Sequence, residues 1–197
     1  MSDLILVKRQ SVLLTTSRRP TVNVRTLCKD LSYVFPNIVR VNRGKLSLEE
    51  VAEKAMEFNA EKLIIVDRWE KGFGKIEFFE VRRDGLRKVL PIVYLRNAKF
   101  RRDFEEQKHR REKIKSVLVA TVSNGNFEIK KFEDFFASFF NVPALSFEDA
   151  VNSNCDAIMQ VLVDYLKRMA ITFRLIPELV EVGSRIEIAH LAWKATQ

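Results

Sequence analysis

The order of apolar and polar positions predicts that the first part of this 197-residue chain alternates strands and helices. Short apolar runs, which are typical of buried strands, cover residues 12–16, 38–41 and 62–67. Between these runs, apolar residues recur at the spacing of one helix face. The pattern predicts a β-α-β-α-β unit, in which right-handed crossovers would make the three strands parallel.

Local signals fix the ends of the two helices in this unit. Pro36 ends the first helix, because proline lacks a backbone N–H and cannot continue it. Ser47 and Glu50 have the spacing of a capping box, which predicts that the second helix begins after Ser47. Both signals agree with the helical spacing of the apolar residues beside them.

A pair of strands is predicted at residues 75–82 and 88–94, around the turn signal Asp84-Gly85. Pro91 lies inside the second strand of this pair and cannot donate a backbone hydrogen bond to a neighbour. That strand should therefore lie at an edge of the sheet or carry a bulge.

The second part of the chain follows a dense run of mixed charges at residues 99–115, which is typical of an exposed helix or linker. We predict a strand at residues 116–122, a Phe-rich helix, a long helix from about 147 to 169, and strands near 171–176 and 185–193. The Phe-rich helix carries Phe132, Phe135, Phe136, Phe139 and Phe140. At helical spacing such a stripe is more often core than a docking face for a partner protein.

The chain has an excess of basic residues, and the excess lies in its first part. The formal net charge is +8. Residues 1–113 contain 26 Lys and Arg against 16 Asp and Glu, hence +10, whereas residues 114–197 contain 8 against 10, hence −2. A basic surface concentrated in this way is typical of a protein that binds a polyanion such as nucleic acid.

Basic residues follow each of the three predicted parallel strands, and hydroxyl residues accompany them at the first strand. Because the carboxyl ends of parallel strands meet at one edge of a sheet, these residues should form one phosphate-binding edge. An aromatic ring at this edge could stack on unpaired bases, and basic residues near position 100 would extend the track. The predicted RNA-binding residues are Thr16, Ser17, Arg18, Arg19, Asn42, Arg43, Lys45, Arg68, Trp69, Lys99, Arg101 and Arg102.

Catalytic and metal-binding motifs are hard to find in the sequence. His109 and His190 have no Cys, Asp or His partners at the spacing of metal ligands, so we predict no metal site and no cofactor. Asp67, at the end of an apolar strand, is the best candidate for a catalytic acid. Its neighbour Arg68 favours a structural or phosphate-edge role instead. The chain is therefore predicted not to be an enzyme.

Two further features bear on location. No segment approaches 18 consecutive apolar residues, so we predict no membrane span. Cys28 and Cys155, both placed in predicted helices, show no pairing pattern and are expected to be buried thiols in a reducing compartment. The protein is expected in the cytoplasm, or in the nucleolus if its source is eukaryotic.

Ordered blocks in the first part of the chain resemble a known family. The blocks are Thr15-Thr16-Ser17-Arg18-Arg19-Pro20, Phe35-Pro36-Asn37, Arg40-Val41-Asn42-Arg43-Gly44, Val66-Asp67-Arg68-Trp69 and Gly74-Lys75-Ile76-Glu77-Phe78-Phe79. Together they resemble the Brix-domain family of ribosome-biogenesis proteins, in its compact archaeal form, over mainly residues 11–100. The resemblance implies an α/β fold of two similar halves, each a mixed sheet packed with helices and similar to the anticodon-binding domain of class II tRNA synthetases.

The same resemblance implies a domain layout and a function. Residues 1–197 would form a single Brix-type domain, with half one at about 11–98, a basic connecting segment at about 99–115 and half two at about 116–193. The family's role implies binding to precursor ribosomal RNA in a pre-ribosomal particle, aiding rRNA processing or folding without catalysis. Other assembly proteins could bind through the Phe-rich second half.

Three alternatives stay open at the level of sequence. A tRNA-binding accessory protein would use the same fold and the same basic edge. An α/β enzyme acting on a phosphorylated small molecule at that edge would need an acid–base pair in a closed pocket. A scaffold that binds protein through the second half would expose Phe135, Phe136 or Phe139.

Overall fold

The computed structural model describes residues 11–105, 114–121 and 126–194, which form ten strands and four α-helices. The strands are β1 (Ser11–Thr16), β2 (Ile38–Arg40), β3 (Ala60–Asp67), β4 (Gly74–Arg82), β5 (Gly85–Lys99), β6 (Val117–Thr121), β7 (Ala144–Ser146), β8 (Ala157–Val163), β9 (Met169–Leu175) and β10 (Arg185–Ala192). The helices are α1 (Val22–Val34), α2 (Leu48–Glu57), α3 (Phe127–Phe140) and α4 (Phe147–Val151), and Arg101–Asp103 forms a short 3-10 helix.

The helices begin where the sequence supplies capping side chains. The Thr21 hydroxyl accepts a hydrogen bond from the backbone N–H of Val24 at 3.2 Å and so caps α1. Ser47 and Glu50 make both hydrogen bonds of a capping box at α2, which confirms the predicted start of that helix. Ser146 caps α4 in the same way as Thr21 caps α1.

All ten strands form one sheet in the order β2-β1-β3-β4-β5-β10-β9-β8-β6-β7. β1 is parallel to β2 and β3, and β6 is parallel to β7 and β8, whereas the remaining pairs are antiparallel. From the central β5–β10 pair outward, both sides therefore repeat one topology. The predicted α/β class with two similar halves is confirmed, while the boundaries of the halves and their likeness to an anticodon-binding domain stay predictions.

One hydrophobic core joins the two halves through α1 and α3. Phe35, just after α1, stacks on Phe140 of α3 with ring centroids 4.2 Å apart and meets Phe173 of β9 edge-on at 5.5 Å. In the opposite direction, Phe139 of α3 meets Phe78 of β4 at 4.9 Å. Each half thus contributes a helix that packs against strands of the other half.

The Phe stripe of α3 belongs to this core, as predicted. Phe132, Phe136, Phe139 and Phe140 are at most 4% exposed. Phe135 is half-buried and packs edge-on against Phe78 at 5.0 Å. The exposed stripe that the scaffold alternative requires is therefore not present in α3.

The opposite face of the sheet, here called the outer face, carries two smaller clusters. α2 packs there over β1 and β3 through Val51 and Ala55. α4 packs over β6 and β8 through Ala150. Neither cluster includes a residue of β9 or β10. The middle of the outer face consequently lies between the two helices.

The predicted long helix over residues 147–169 is wrong. α4 ends at Val151, and residues 157–163 form β8, paired with β6 and β9. Cys155 accordingly lies outside any helix, whereas Cys28 lies in α1 as expected. The terminal strands are confirmed as β9 and β10. Asn124 and Gly125 of the predicted turn, and residues 106–113 of the charged run, lie outside the described residues.

Pro91 marks a bulge and not an edge. β5 lies between β4 and β10 inside the sheet. Its pairing with β4 shifts register here, because Val93 faces Ile76 whereas Val89 faces Phe78. The irregular stretch removes Pro91 from the hydrogen-bond ladder that it cannot donate to. In the described part of the chain, no helix is long and apolar enough to cross a membrane.

Candidate nucleic-acid interface

The carboxyl ends of β1 and β2 frame a cavity of about 280 Å³. We call it the edge cavity. Its lining residues are Thr15, Thr16, Ser17, Arg18, Pro20, Arg25, Cys28, Arg40, Val41, Asn42, Arg43 and Gly44. The structure thus brings together five of the predicted RNA-binding residues: Thr16, Ser17, Arg18, Asn42 and Arg43.

Backbone and hydroxyl hydrogen bonds hold the floor of the edge cavity. The buried Thr15 hydroxyl donates to the Val41 carbonyl at 3.0 Å, and the Val41 N–H donates to the Leu14 carbonyl at 2.9 Å. The Ser17 N–H donates to the Val66 carbonyl at 3.0 Å. These bonds extend the β2-β1-β3 ladder past the strand ends, and they position the loops that carry the charged side chains.

Two arginines share one acceptor in the wall of the cavity. The Arg43 Nε donates to the Leu46 carbonyl at 2.9 Å, and the Arg18 Nε approaches the same oxygen at 3.3 Å. Arg43 is only 7% exposed, whereas Arg18 is exposed. Burial of the Arg43 guanidinium, together with the positive charge of Arg18, lowers the pKa of Arg43. A bound anion would relieve this repulsion.

A hydroxyl group in the cavity lining is ready to donate. The Ser17 Oγ is buried and makes no hydrogen bond to another described residue. Because Ser17 lines the cavity, its hydroxyl would gain a partner from a bound oxyanion. Gly44 has a φ of +56° and open space around it, so glycine allows the loop to turn here.

Seven lining residues were not among the predicted ones, and three of these have ionisable side chains: Cys28, Arg25 and Arg40. The thiol of Cys28 is buried, and burial raises its pKa to about 12, so it is neutral in the cavity. Arg25 lies one turn after the cap of α1 and donates through Nη2 to the Pro20 carbonyl at 3.3 Å. Arg40 ends β2. The helical spacing from Thr21 to Arg25 was the sequence signal for this extra charge.

Other predicted residues lie beside the edge cavity and do not line it. Arg19, Lys45 and Arg68 are exposed on the loops around it. The ring of Trp69 packs at a tilt against the Tyr94 ring and edge-on against the His190 ring, at centroid distances of 4.9 and 5.5 Å. Trp69 therefore belongs to the sheet surface next to β5 and β10.

Of the basic residues near position 100, Arg101 lies against the second half of α1. The Arg101 guanidinium stacks on the Tyr33 ring at 3.7 Å, and the Arg101 N–H donates to the Asp30 carboxylate at 2.8 Å. Lys99 lies over the Phe104 ring at 4.2 Å, and Arg102 lies 5.2 Å from the Phe100 ring. The structure therefore separates this group from the edge cavity.

The chemistry of Asp67 is that of a structural residue. Its carboxylate accepts a hydrogen bond from the Arg68 N–H at 2.7 Å and lies 4.0 Å from the Lys75 ammonium. Its negative charge also raises the pKa of Arg43, opposing the effect of burial. Within the described ranges, no group of three His, Cys, Asp or Glu residues could hold a metal ion.

Comparison with known proteins finds relatives of one kind. A probable Brix domain-containing ribosomal biogenesis protein of Sulfurisphaera tokodaii is 28% identical over 122 residues, which cover 58% of this chain and 69% of that protein. A protein of the same description from Thermococcus kodakarensis is 28% identical over 169 residues, covering 82% of this chain and 80% of that protein. No family model matches the chain.

A solved structure shares the fold. The crystal structure of a probable ribosomal biogenesis protein from Aeropyrum pernix superposes with a TM-score of 0.71 and 23% sequence identity. The match covers 95% of this chain and 98% of that one. The ten-stranded architecture of this chain is therefore one already seen in a solved protein.

Proposed function

Because this chain is a relative of the archaeal Brix-domain proteins, we propose that it is a non-catalytic RNA-binding factor of ribosome assembly. It acts in the cytoplasm on precursor ribosomal RNA within the pre-ribosomal particle. Its edge cavity holds a backbone phosphate, while Arg19, Lys45 and Arg68 hold neighbouring phosphates.

The observation that carries this proposal is the pair of guanidinium groups on one carbonyl oxygen. Arg18 and Arg43 converge on Leu46, although their like charges repel. A phosphate placed between them would accept charge-assisted hydrogen bonds from both groups and from the Ser17 hydroxyl. Such an arrangement recognises the RNA backbone and not the identity of a base.

The chemistry of the lining supports binding and not catalysis. The described residues that line the edge cavity include no His, Asp or Glu. Arginine side chains cannot act as acids or bases at neutral pH in proteins. The Cys28 thiol, with its pKa raised to about 12, stays neutral. An enzyme that acts on a phosphorylated small molecule would need an acid–base pair that this lining lacks.

The role of such a site is to hold RNA and then release it. Neutralising phosphates releases counterions, so binding to rRNA is tight at low salt and weakens steeply as salt rises. A fold that presents its charges on exposed loops holds an rRNA conformation while the particle matures. Release then needs only competition for the same phosphates by other components of the particle.

The proposal is tested by RNA binding across a salt series. The test variant carries Arg18→Glu, Arg19→Glu and Lys45→Glu. We expect its affinity for precursor rRNA fragments to fall about 100-fold or more, and its salt slope to become shallower by about 2, because each lost phosphate contact removes about 0.7–0.9 from the slope.

A matched control changes the net charge equally at other positions. It carries Arg83→Glu, Lys130→Glu and Lys194→Glu, three exposed cations outside the edge cavity. This control should keep at least a third of the wild-type affinity. Equal losses in both variants would mean that net charge alone governs binding, and tighter binding to tRNA than to rRNA would overturn the assignment to ribosome assembly.

A further inference from the structure

Three rings meet at the surface of the sheet, beyond the end of β3. The Tyr94 and His190 rings are stacked with centroids 4.3 Å apart and planes 15° from parallel. Trp69 lies against both rings. We call these three residues the ring cluster. Tyr94 lies between two core residues, Val93 and Leu95, so alternation along the strand places it on the outer face.

The three residues of the ring cluster differ in solvent exposure. His190 is exposed, whereas Tyr94 and Trp69 are half-buried. Gly72 lies against the Trp69 ring so closely that a Cβ at this position would be 2.6 Å from the ring. Trp69 is thus the covered end of the cluster and His190 is its solvent-facing end. Among the described residues, Tyr94 and Trp69 are the rings that contact His190, so the exposed His190 ring can accept a further stacked ring.

A short connection joins the ring cluster to the edge cavity. Asp67, at the end of β3, is close enough to Arg43 to raise the pKa of that arginine. Arg68 and Trp69 are the next two residues of the chain. The exposed Arg68 therefore stands between the cavity and the rings, at the place where a nucleic-acid strand leaving the cavity would need a cation.

A hollow lined by charged residues lies on the other side of the rings. It has a volume of about 370 Å³, and its charged lining residues are Arg96, Arg168 and Arg185 together with Asp164 and Glu187. Arg168 pairs with Asp164, and Arg185 pairs with Glu181. Arg96, two residues after Tyr94 on β5, has no ion pair to another described residue. Arginine side chains thus lie before and after the ring cluster.

We propose that the ring cluster and Arg96 bind single-stranded RNA, with an unpaired base stacked on the exposed side of His190. This inference rests on the proposed function, since the edge cavity would hold the phosphates of the same strand. Planar rings that alternate with permanent cations match the alternation of bases and phosphates in a single strand. A duplex keeps its bases stacked inside and cannot use the rings in this way.

Fluorescence emission of Trp69 tests whether RNA contacts the ring cluster. The chain contains two tryptophans, so a Trp193→Phe background leaves Trp69 as the single tryptophan. We expect single-stranded oligoadenylate to quench Trp69 emission and an RNA duplex of the same length to leave it unchanged. In the same background, His190→Ala should weaken oligoadenylate binding about tenfold, since a stacked base contributes about that much affinity.

Two variants separate stacking from other causes. His190→Phe keeps a ring and should retain wild-type affinity, whereas Phe127→Ala removes an 80% exposed ring elsewhere and should change nothing. If His190→Ala and His190→Phe bind oligoadenylate equally well and Trp69 emission does not respond, the ring cluster does not bind RNA. A protein-docking face would give that same result, and it would overturn the inference.

The failure of this inference can be told from failure of the proposed function. If the Arg18, Arg19 and Lys45 variant loses affinity for rRNA while the ring variants bind normally, the edge cavity is a phosphate site and the ring cluster does not bind RNA. If that variant keeps full rRNA affinity, the proposed phosphate site itself is wrong.

Discussion

The two halves of the molecule repeat one topology, but the carboxyl edges of their parallel strands differ. In half one, residues 41–47 separate β2 from α2 and wall the edge cavity. In half two, β7 ends at Ser146 and α4 begins at the next residue. A threonine still bonds across each edge, from Thr15 to Val41 and from Thr121 to Leu145, both at 3.0 Å.

The charge at the two edges differs as well. The loop of half one carries Arg43 and Lys45. The helix that follows has two acidic residues in its first turn in both halves, Glu49-Glu50 in α2 and Glu148-Asp149 in α4. The two edges therefore differ in the basic loop, which half one has before its helix and half two lacks. We infer that the loop, and not the repeated fold, creates the anion site.

The core offers the opposite comparison, because there the halves depend on each other. Phe35→Ala should destabilise the protein by about 4 kcal/mol, since it removes a buried ring that contacts α3 and β9. Denaturant unfolding followed through Trp69 in a Trp193→Phe background, and through Trp193 in a Trp69→Phe background, should show coincident transitions with and without Phe35→Ala.

Phe127→Ala serves as the control for this core prediction, because the Phe127 ring is 80% exposed and its loss should cost under about 0.5 kcal/mol. Two separate transitions, one for each tryptophan, would show that the halves fold independently. The idea of a shared core would then be wrong.

A buried polar junction should have the next largest effect. The Asp30 carboxylate, 7% exposed, accepts hydrogen bonds from the Ser184 hydroxyl at 2.6 Å and from the Arg101 N–H at 2.8 Å. Asp30→Ala should cost about 2 kcal/mol in the free energy of unfolding, because buried donors lose a charged acceptor.

A double-mutant cycle with Ser184→Ala tests whether this junction couples the halves. The two substitutions should be less than additive, since they remove the same hydrogen bond. Strict additivity would show that the Asp30–Ser184 contact contributes nothing to the link between half one and half two.

Local signals explain why half one could be predicted so well. The carboxyl ends of the three parallel strands, the capping box of Ser47 and Glu50, and the turn at Asp84-Gly85 depend on neighbouring residues, and the structure confirms them. β5, in contrast, is longer than the strand predicted at residues 88–94, because its pairing with β10 extends it to Lys99. Parallel order then places Arg18 and Arg43 at one edge without further information. Sequence reasoning succeeds here because topology follows from local elements.

Half two shows where that reasoning fails. The run at residues 157–163 is apolar at almost every position, and such a run fits a buried helix or a buried strand. It forms a strand because it pairs with β6 and β9, and this pairing depends on residues outside the run itself. The polar residues at 152–154 were the available signal for the end of α4.

In the candidate site, too, predictions from local sequence succeed and predictions that depend on distant contacts fail. Arg101 and Trp69 were predicted to join the phosphate edge because they are near it in sequence or in strand order. Instead, Tyr33 and Asp30 bind Arg101, and Tyr94 with His190 hold Trp69. Distant aromatic and acidic partners, which no local pattern reveals, set the positions of these side chains.

The two cysteines give a pH-dependent comparison between the halves. Burial raises the pKa of Cys28 to about 12 from 9.0, so the folded protein keeps this proton when the unfolded chain has lost it. The contribution of this group to the free energy of unfolding is therefore fully present below pH 9 and declines as the pH rises toward 12. At about pH 10 the loss should be about 1 kcal/mol.

Cys28→Ala isolates this contribution. The free energy of unfolding should fall more steeply with pH in wild type than in the variant between about pH 9 and 11, since other titrations are common to both. Half-buried Cys155 should meanwhile react with iodoacetamide in the folded protein faster than Cys28 does. Parallel pH curves would mean that the Cys28 thiol ionises as easily folded as unfolded.

The smallest expected effect is a change in RNA affinity when one exposed carboxylate at each edge is neutralised. Hydrogen bonds from its own backbone N–H and from the Ser47 side chain lower the pKa of Glu49, and the charges of Arg18 and Arg43 lower it further, so this carboxylate is ionised at neutral pH beside the edge cavity. Glu49→Gln removes a negative charge that competes with phosphate for these arginines. We expect a gain in RNA affinity of about twofold at low salt, which disappears at high salt as screening increases.

Glu148→Gln is the matched change at the first turn of α4, which begins directly after β7 with no loop between them. If the loop of half one creates the anion site, this second variant should leave RNA affinity unchanged, because neutralising an edge without cations gives phosphate no partner. Equal gains from both variants would instead mean that RNA responds to the overall field of the protein. In that case the difference between the two edges would be one of shape and not of function.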